Sequence, residues 1–176
     1  MRTDPAYQDS QQVEEAGMPS AIAVFESVSR FKVVRIAGAK FQMKEGDWAI
    51  IDTETGNKYH MEVKIRDRAF EGDFLLEDWS DEGKVLGWAE TCNAHLLAAY
   101  YTVDRKLVVL RWKKTKEWYR NNRDKYRVRN PHCSQKNTTV FRLALLSDLR
   151  AAGLVFYETP SASKALVPPR QPSFSY

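Results

Sequence analysis

The sequence predicts an α/β fold in which helices flank a mixed central β-sheet. Two observations support this prediction. Short apolar runs typical of strands occur in both halves of the chain, and segments with the apolar spacing of helices bracket them. The 176 residues suit one domain, which we place at 19–158, after a flexible N-terminal arm at 1–18 and before a disordered, Pro- and Ser-rich tail at 159–176.

Composition and charge exclude several classes of protein. The formal net charge is +4 and the pI is about 9.0. No apolar run approaches the ~20 residues needed to span a membrane, and the polar amino end lacks the apolar core of a signal peptide. Two cysteines, Cys92 and Cys133, do not make a disulfide framework. We therefore expect a cytoplasmic protein with no membrane partner.

The first half of the chain predicts one helix followed by strands. Pro19 and Ser20 are typical of a helix start, and Phe25 belongs to its apolar stripe. Two apolar-rich runs beside the turn at 53–57 predict a β-hairpin. The predicted elements are a helix at 19–31 and strands of one sheet at 32–37, 41–43, 46–52, 59–64 and 74–79.

The second half predicts alternating helices and strands. Apolar and β-branched residues on both sides of Asp104-Arg105 predict a second hairpin. Ser147-Asp148 is typical of a helix N-cap and Gly153 of a helix end. The predicted elements are a helix from Thr91 or Asn93, hairpin strands at 100–103 and 106–112, a helix at 114–122, a loop at 130–134, a strand at 138–145, a helix at 147–153 and a strand at 154–157.

The second strand of the first hairpin has two unlike faces, because successive side chains of a strand point in opposite directions. One face suits a hydrophobic core and carries Tyr59, Met61, Val63 and Ile65. The other face is polar and carries His60, Glu62, Lys64 and Arg66. An acid and a base thus lie two residues apart on the face that is not apolar.

The register of the hairpin decides which acid of the first strand joins them. A tight turn at Thr55-Gly56 would place Asp47 directly opposite Lys64, and directly opposite residues share a face. Asp47, Glu62 and Lys64 are then expected to converge, whereas Asp52 falls on the other face. A slip of one residue would reverse this assignment.

Two carboxylates beside an ammonium group suit a divalent-cation site for phosphodiester hydrolysis. Carboxylates are hard oxygen ligands of Mg²⁺. The cation activates water and neutralises charge on the phosphate, while a lysine stabilises the developing charge. The alternative is that Asp47, Glu62 and Lys64 form a surface charge cluster on a structural sheet.

A basic block occupies residues 111–129, where nine basic residues face two acids, a net charge of +7. Lys and Arg contacts to phosphates supply most of the sequence-independent affinity for nucleic acid, and interleaved Trp and Tyr can stack on bases. The alternative is a basic amphipathic helix with aromatics docked on the sheet, and we expect Trp112 and either Trp118 or Tyr119 in the core. The candidate nucleic-acid-binding residues are Lys113, Lys114, Lys116, Arg120 and Arg123.

An acid at the start of one hairpin strand and Glu62-Val63-Lys64 on the next resemble the signature of the PD-(D/E)XK nuclease superfamily. The order of the predicted elements over residues 20–158 resembles the αβββαβ core of that superfamily, of which restriction endonucleases are members. Arg66-Asp67-Arg68 and Gly87-Trp88 are similar to sequences of small members encoded by phages and mobile elements. In one respect the chain departs from the signature, because Gly46 stands where the family has a proline.

The resemblance implies metal-dependent hydrolysis of nucleic-acid phosphodiesters. Asp47, Glu62 and the Val63 carbonyl would bind Mg²⁺ or Mn²⁺, and Lys64 would orient the attacking water or stabilise charge. The partner implied is DNA, although the residues do not separate DNA from RNA. Superfamily members often work as homodimers, so a homodimer is a further expectation.

Further residues are candidates on weaker grounds. Glu26 is either a solvated helix acid or an accessory acid that reaches the site from its helix. Arg66 and Arg68 either grip phosphates or are solvated arginines balanced by nearby acids. Glu77 or Asp78 could face the metal, with an edge-strand charge as the alternative. A zinc site would need two pairs, Cys92 with His95 and His132 with Cys133.

The function that we predict is an Mg²⁺-dependent deoxyribonuclease, an endonuclease rather than an exonuclease. Two functions of other classes compete with it. One is a non-catalytic nucleic-acid-binding protein that uses the basic block, and the other is a protein-interaction module. Only the nuclease requires the side chains of Asp47, Glu62 and Lys64 to converge.

Overall fold

The computed structural model describes residues 5–28, 30–35, 46–129 and 139–160. The strands are β1 Phe31–Arg35, β2 Trp48–Asp52, β3 Lys58–Arg66, β4 Asp73–Asp81, β5 Val85–Leu86, β6 Leu96–Tyr101, β7 Lys106–Arg111, β8 Val128–Arg129, β9 Val140–Leu145 and β10 Val155–Glu158. The helices are α1 Pro5–Val28, α2 Trp88–Thr91, α3 Trp112–Asn122 and α4 Leu146–Ala151, and a 3₁₀ turn covers Arg123–Lys125. None of these helices is both long and apolar enough to cross a membrane.

The strands form two sheets, and the larger one confirms the predicted fold class. It has six strands in the order β1-β2-β3-β6-β7-β10 and is mixed, because β3 and β6 are parallel while the other neighbours are antiparallel. The smaller sheet has the order β5-β4-β9-β8 and is antiparallel throughout. A parallel pair needs a long crossover, and β4, β5 and α2 lie within the one that joins β3 to β6.

Each face of the central sheet packs against a different layer. On one face, Met61 and Val63 of β3 form a buried cluster with Ala21 and Phe25 of α1. On the other face, the smaller sheet contributes to a second cluster, which includes Phe74 of β4. The alternation of side chains along β3 therefore sends its apolar residues toward α1 and its charged residues toward the smaller sheet.

Helix α1 starts earlier than predicted. It begins at Pro5 and contains Pro19 in its interior, so the predicted flexible arm is helical from Pro5 onward. Buried Gly17 lies so close to Ile65 of β3 that a Cβ there would collide with the isoleucine side chain. The sequence did not predict this part of the helix, because the segment is mostly polar and has no broad apolar stripe. The predicted strand at 41–43, the loop at 130–134 and the tail from 161 lie outside the described residues.

Two predictions for the middle of the chain are wrong. The run at 74–79 does not rejoin the central sheet but forms β4 of the smaller one. The helix expected from Thr91 or Asn93 is instead the single turn α2, which ends at Thr91, and the apolar run after it is strand β6. This strand is buried on both faces, and a continuous apolar run of that kind cannot be told from a helix by periodicity. From the hairpin of β6 and β7 to β10, the structure has each strand and helix that was predicted, in order, and adds the 3₁₀ turn and β8, which were not predicted.

The register of the first hairpin also differs from the prediction. Trp48 pairs with Met61, so the register is displaced by two residues and the turn contains four residues, 53–56, instead of two. The cause is Asp52, whose buried carboxylate accepts hydrogen bonds from the Glu54 and Thr55 N–H groups at 3.0 and 3.3 Å. A displacement of two residues preserves the face of every side chain, so the predicted faces are correct.

The turn between β6 and β7 contains Arg105 at φ = 51°, the one positive φ of a non-glycine residue in the described part of the chain. A left-handed backbone is strained for any residue with a Cβ. We expect Arg105→Gly to raise the free energy of unfolding by roughly 0.5–1 kcal/mol, measured by urea denaturation. The matched control is Val103→Gly in the same exposed turn, which should be destabilising. A neutral or harmful Arg105→Gly would contradict the strain.

Candidate functional site

The charged face of β3 holds an ion pair in a buried place. The Lys64 Nζ lies 2.5 Å from the Glu62 Oε1, and Glu62 is only 8% exposed. In the parallel pairing of β3 with β6, these two residues lie beside Leu97 and Ala99, which belong to the cluster that packs against the smaller sheet. The acid and the base therefore face the interior between two sheets rather than open solvent.

Asp47 joins this pair from the residue that precedes β2. Its Oδ2 accepts a hydrogen bond from the Val63 N–H at 2.9 Å, and continuing the observed register by one step places Asp47 across from Glu62. The Asp47 carboxylate thus replaces the main-chain carbonyl that would accept this hydrogen bond from Val63 in a continuous strand pair. The structure brings together Asp47, Glu62 and Lys64, as the sequence predicted, although Asp47 lies opposite Glu62 rather than Lys64.

Gly46 explains how Asp47 reaches this position. Its φ is +98°, and a Cβ there would lie 2.8 Å from the backbone carbonyl of Met61. Only glycine tolerates both this conformation and this close approach. Proline, which the family signature has at this position, is locked near φ = −65° and could not replace it. The departure from the signature is therefore a requirement of the local backbone.

The main chain of Val63 completes the oxygen-rich part of the site. In a strand, the N–H and C=O of one residue point to the same side. Because the Val63 N–H is directed at Asp47, its carbonyl oxygen also points toward Asp47, away from the neighbouring strand β6. Two carboxylates and one main-chain oxygen are therefore directed to one region at the start of β2.

The electrostatics of the pair reflect burial and like charge. Burial raises the pKa of the Glu62 carboxyl, Lys64 acts against this, and the nearby carboxylates of Asp47 and Glu14 raise the pKa further. For Lys64, burial acts to lower the pKa of the ammonium, but the carboxylates of Glu62, Asp47 and Glu14 together outweigh burial and the pKa is raised. The acids around the pair thus act on both of its members.

Glu14 is the residue that sequence reasoning missed. It lies on α1, and its carboxylate acts on the pKa values of Glu62, Lys64 and Arg66. One signal could have found it, since small and apolar residues recur at every fourth position in Val13, Gly17, Ala21 and Phe25, which extends the helix backward through Glu14.

Glu26, the accessory acid predicted for this role, is elsewhere. Its Oε1 accepts a hydrogen bond from the Val33 N–H at 2.8 Å, so it binds the backbone of β1 at the edge of the central sheet. It is also not among the main causes of the pKa shifts of Glu62 and Lys64. The prediction of Glu26 as an accessory acid is therefore wrong, and α1 presents Glu14 instead.

The two acids of β4 have different roles. Glu77 accepts a hydrogen bond from the Ser80 hydroxyl. Burial raises the pKa of Glu77, and the positive charges of Lys64 and Arg66 act against this rise, so Glu77 lies toward the site. Asp78 points into the core, where it accepts hydrogen bonds from Tyr119 Oη at 2.5 Å and Arg142 Nε at 2.7 Å.

An aromatic surface borders Lys64. Its Nζ lies 5.4 Å from the ring centroid of Trp88, and Trp88 packs on Trp112 at a centroid distance of 5.7 Å. Trp88 starts α2 directly after Gly87, where a Cβ would collide with the β4 backbone at Glu77. The close approach of Gly87 to β4 thus places Trp88 beside Lys64.

Part of the basic block has partners in other elements. Arg120 makes two hydrogen bonds to Glu90 Oε2 at 3.0 and 2.8 Å, and Arg123 lies 3.7 Å from the same carboxylate. Lys116 donates to the carbonyl oxygens of Glu90 and Cys92. Of the five predicted nucleic-acid-binding residues in the block, the remaining two, Lys113 and Lys114, are exposed. Trp112 and Tyr119 are fully buried, as expected.

Arg66, the last residue of β3, and Arg68, which follows the strand, also differ. Arg68 makes an ion pair with Asp73 at 2.7 Å and a longer one with Glu71 at 3.4 Å, and its guanidinium lies over Tyr101. Arg66 is half-buried on the same face as Glu62 and Lys64. Within the described part of the chain, its guanidinium has neither an ion pair nor a side-chain hydrogen bond.

The zinc hypothesis receives no support from the described residues. His132 and Cys133 lie outside them. Cys92 is buried, which raises the pKa of its thiol to about 11, whereas zinc binds the thiolate. His95 Nδ1 accepts a hydrogen bond from the His60 N–H at 3.1 Å. Over the ranges that the structure describes, no group of three or more His, Cys, Asp or Glu side chains is placed to hold a metal ion.

The predicted magnesium set is smaller, with two carboxylates and the Val63 carbonyl. Its oxygen donors suit a hard cation in kind. The pKa of Glu62 beside Asp47 is raised. A bound cation would lower this pKa, because positive charge favours the ionised carboxyl. Lys64 at present supplies the only cation bound to Glu62 among the described residues. The donor set therefore fits a divalent cation that shares Glu62 with Lys64 or displaces it.

Comparison with protein-family models, with curated proteins and with solved structures found no match. The geometry of the site is therefore the basis for assigning a function.

The pair of Glu62 and Lys64 makes a testable prediction about pH. Removing the ammonium in Lys64→Gln should raise the pKa of Glu62 further. A carboxyl with a higher pKa in the folded than in the unfolded state binds its proton more tightly when folded, so stability falls as pH rises from the ordinary value of 4.5 through the folded value. Urea denaturation across this interval should show a steeper loss of stability in Lys64→Gln than in the wild type. The double variant Lys64→Gln/Glu62→Gln should lose this extra slope, and equal slopes in all three proteins would contradict the coupling.

Proposed function

We propose that the chain is a metal-dependent nuclease of the PD-(D/E)XK type that hydrolyses DNA phosphodiester bonds as an endonuclease. The observation that carries the proposal is the convergence of Asp47, Glu62 and Lys64 between the two sheets. A charge cluster that served only solubility would lie on an exposed face, because burying charges costs free energy. Here the acid and the base are both withdrawn from solvent.

The topology around the trio supports the same proposal. A helix, three antiparallel strands and a crossover to a strand parallel with the third follow one another in α1, β1, β2, β3 and β6. This is the order of the αβββαβ core in the resembling superfamily. The crossover differs, because it contains the hairpin of β4 and β5 and only one helical turn.

Each residue of the trio has a role that its contacts suggest. Asp47, Glu62 and the Val63 carbonyl would hold Mg²⁺ or Mn²⁺, which when bound supplies a Lewis acid for the phosphate and a more acidic water. Lys64 keeps its proton, since its pKa is raised, and can donate a hydrogen bond from Nζ to a phosphate oxygen. For this it must exchange its contact with Glu62 for one with the substrate.

The surroundings of the site suit the negative charge of DNA. Arg66 lies on the same face, and the exposed Lys113 and Lys114 can add sequence-independent phosphate contacts. Because Glu90 pairs with both Arg120 and Arg123, the basic block is a weaker binding surface than its composition indicates. This favours the nuclease over the non-catalytic binding protein, whose affinity would depend on the block alone.

The proposal also includes a cytoplasmic location, a phage origin and a homodimeric state.

The test is cleavage of plasmid, linear and branched DNA in Mg²⁺ or in EDTA. We expect Mg²⁺-dependent cleavage by the wild type. Glu62→Gln should reduce it by on the order of 100-fold or more, because it removes a carboxylate that would hold the cation, while DNA binding in EDTA stays close to that of the wild type.

The matched control is Glu82→Gln, which removes an equal charge from the exposed turn between β4 and β5 and should cleave normally. Binding without cleavage of any DNA would favour the non-catalytic alternative. Absence of both binding and cleavage at low salt would favour the protein-interaction module.

A further inference from the structure

Arg66 is a half-buried cation whose charge no described side chain neutralises directly. It is the last residue of β3 and pairs with Tyr101 in the neighbouring strand. Burial lowers the pKa of its guanidinium, and the adjacent Arg68 lowers it too, while Tyr101, Glu77 and Glu14 offset only part of this. Within the described residues, its neighbour Arg68 has a carboxylate at 2.7 Å, and Arg66 has none in contact.

The absence of a contacting carboxylate among the described residues suggests that the Arg66 guanidinium binds an anion from outside the chain. Burying a charge without a partner is costly, and proteins compensate it with a counter-ion or a ligand. The acids that follow Arg66 have other partners, because Asp73 and Glu71 pair with Arg68 and Asp67 accepts a hydrogen bond from the Thr102 hydroxyl at 2.8 Å. The arrangement therefore leaves Arg66 available to an anion that enters from outside the chain.

The position of Arg66 on β3 indicates which anion. Lys64 and Arg66 are two residues apart on one face, a separation of about 6.6 Å along a strand. This separation is comparable to that of neighbouring phosphates on one nucleic-acid strand. A strand lying along β3 would place one phosphate at Lys64 and the next at Arg66. An isolated phosphate monoester would occupy only one of these two positions.

We propose that Arg66 binds the phosphate next to the scissile one on the same strand, so that the cleaved strand runs along the charged face of β3. This inference rests on the proposed nuclease function and adds a subsite to it. The substrate class that follows is a polynucleotide strand with at least two adjacent phosphodiesters. Guanidinium groups suit this role, since they can donate two parallel hydrogen bonds to one phosphate.

The experiment measures binding of a fluorescein-labelled, single-stranded 20-nucleotide thymidine oligonucleotide by anisotropy in EDTA, at several salt concentrations. One phosphate contact contributes about 0.7 to the slope of log K against log[salt] on single strands. We expect Arg66→Gln to lose about 0.7 of slope, which is an affinity loss of about 5-fold at 0.1 M salt. Arg66→Lys keeps the charge and should retain the slope, and thermal denaturation establishes that each variant is folded.

The matched control is Lys58→Gln, at the opposite end of the same strand and on the same face. It removes an equal charge and should leave the slope unchanged. An equal loss in Lys58→Gln would overturn the inference, because the effect would then come from net charge. An unchanged slope in Arg66→Gln would overturn it as well.

A second measurement locates the phosphate. Once cleavage in Mg²⁺ has been mapped, a neutral methylphosphonate is placed at each linkage flanking the cleaved one. At one of these two linkages it should weaken binding by the wild type about 5-fold and leave binding by Arg66→Gln unchanged. Equal effects on both proteins at both linkages would overturn the inference while leaving the nuclease intact. A lower salt slope in Arg66→Gln without cleavage of any DNA would sink the nuclease and support Arg66 as a phosphate-binding residue.

Discussion

The alternation of side chains along β3 is the constraint on which the rest of the structure depends. Met61 and Val63 are fully buried under α1. Because side chains alternate along a strand, Glu62 and Lys64 must lie on the opposite face. The parallel pairing with β6 then holds that face against the smaller sheet. The apolar contacts that stabilise the central sheet therefore also determine where the acid and the base are buried together.

The start of β2 leaves polar groups of β3 outside the ladder of the central sheet. A further residue at this start would pair with β3 and use the polar groups of Val63. Instead, Gly46 has φ = +98°, and the Asp47 carboxylate accepts a hydrogen bond from the Val63 N–H. The late start of the strand leaves main-chain and side-chain oxygens directed to one region, which an uninterrupted ladder would not provide.

Sequence periodicity could predict the faces of β3 because a face depends only on whether a residue number is odd or even. The register error of two residues left Asp47 on the correct face for this reason. What the sequence could not show are contacts between distant elements. Glu14 on α1 acts on the pKa of Glu62, and Glu90 on α2 pairs with Arg120 and Arg123. Local pattern can extend α1 through Glu14, but both contacts depend on how the layers pack.

The ion pairs distinguish the basic residues that have a carboxylate partner from those that lack one, and composition alone does not show this difference. Basic residues outnumber acids heavily in the block at 111–129, yet Arg120 and Arg123 are held by Glu90. The strand β3 shows the opposite arrangement, because its last residue, Arg66, lies beside an acidic site and lacks a contacting carboxylate among the described residues. Under the proposed function, a phosphate strand would displace no carboxylate at Arg66, whereas at Arg120 and Arg123 it would compete with Glu90. Local pairing, together with the count of basic residues, therefore determines which cations are available to an anion.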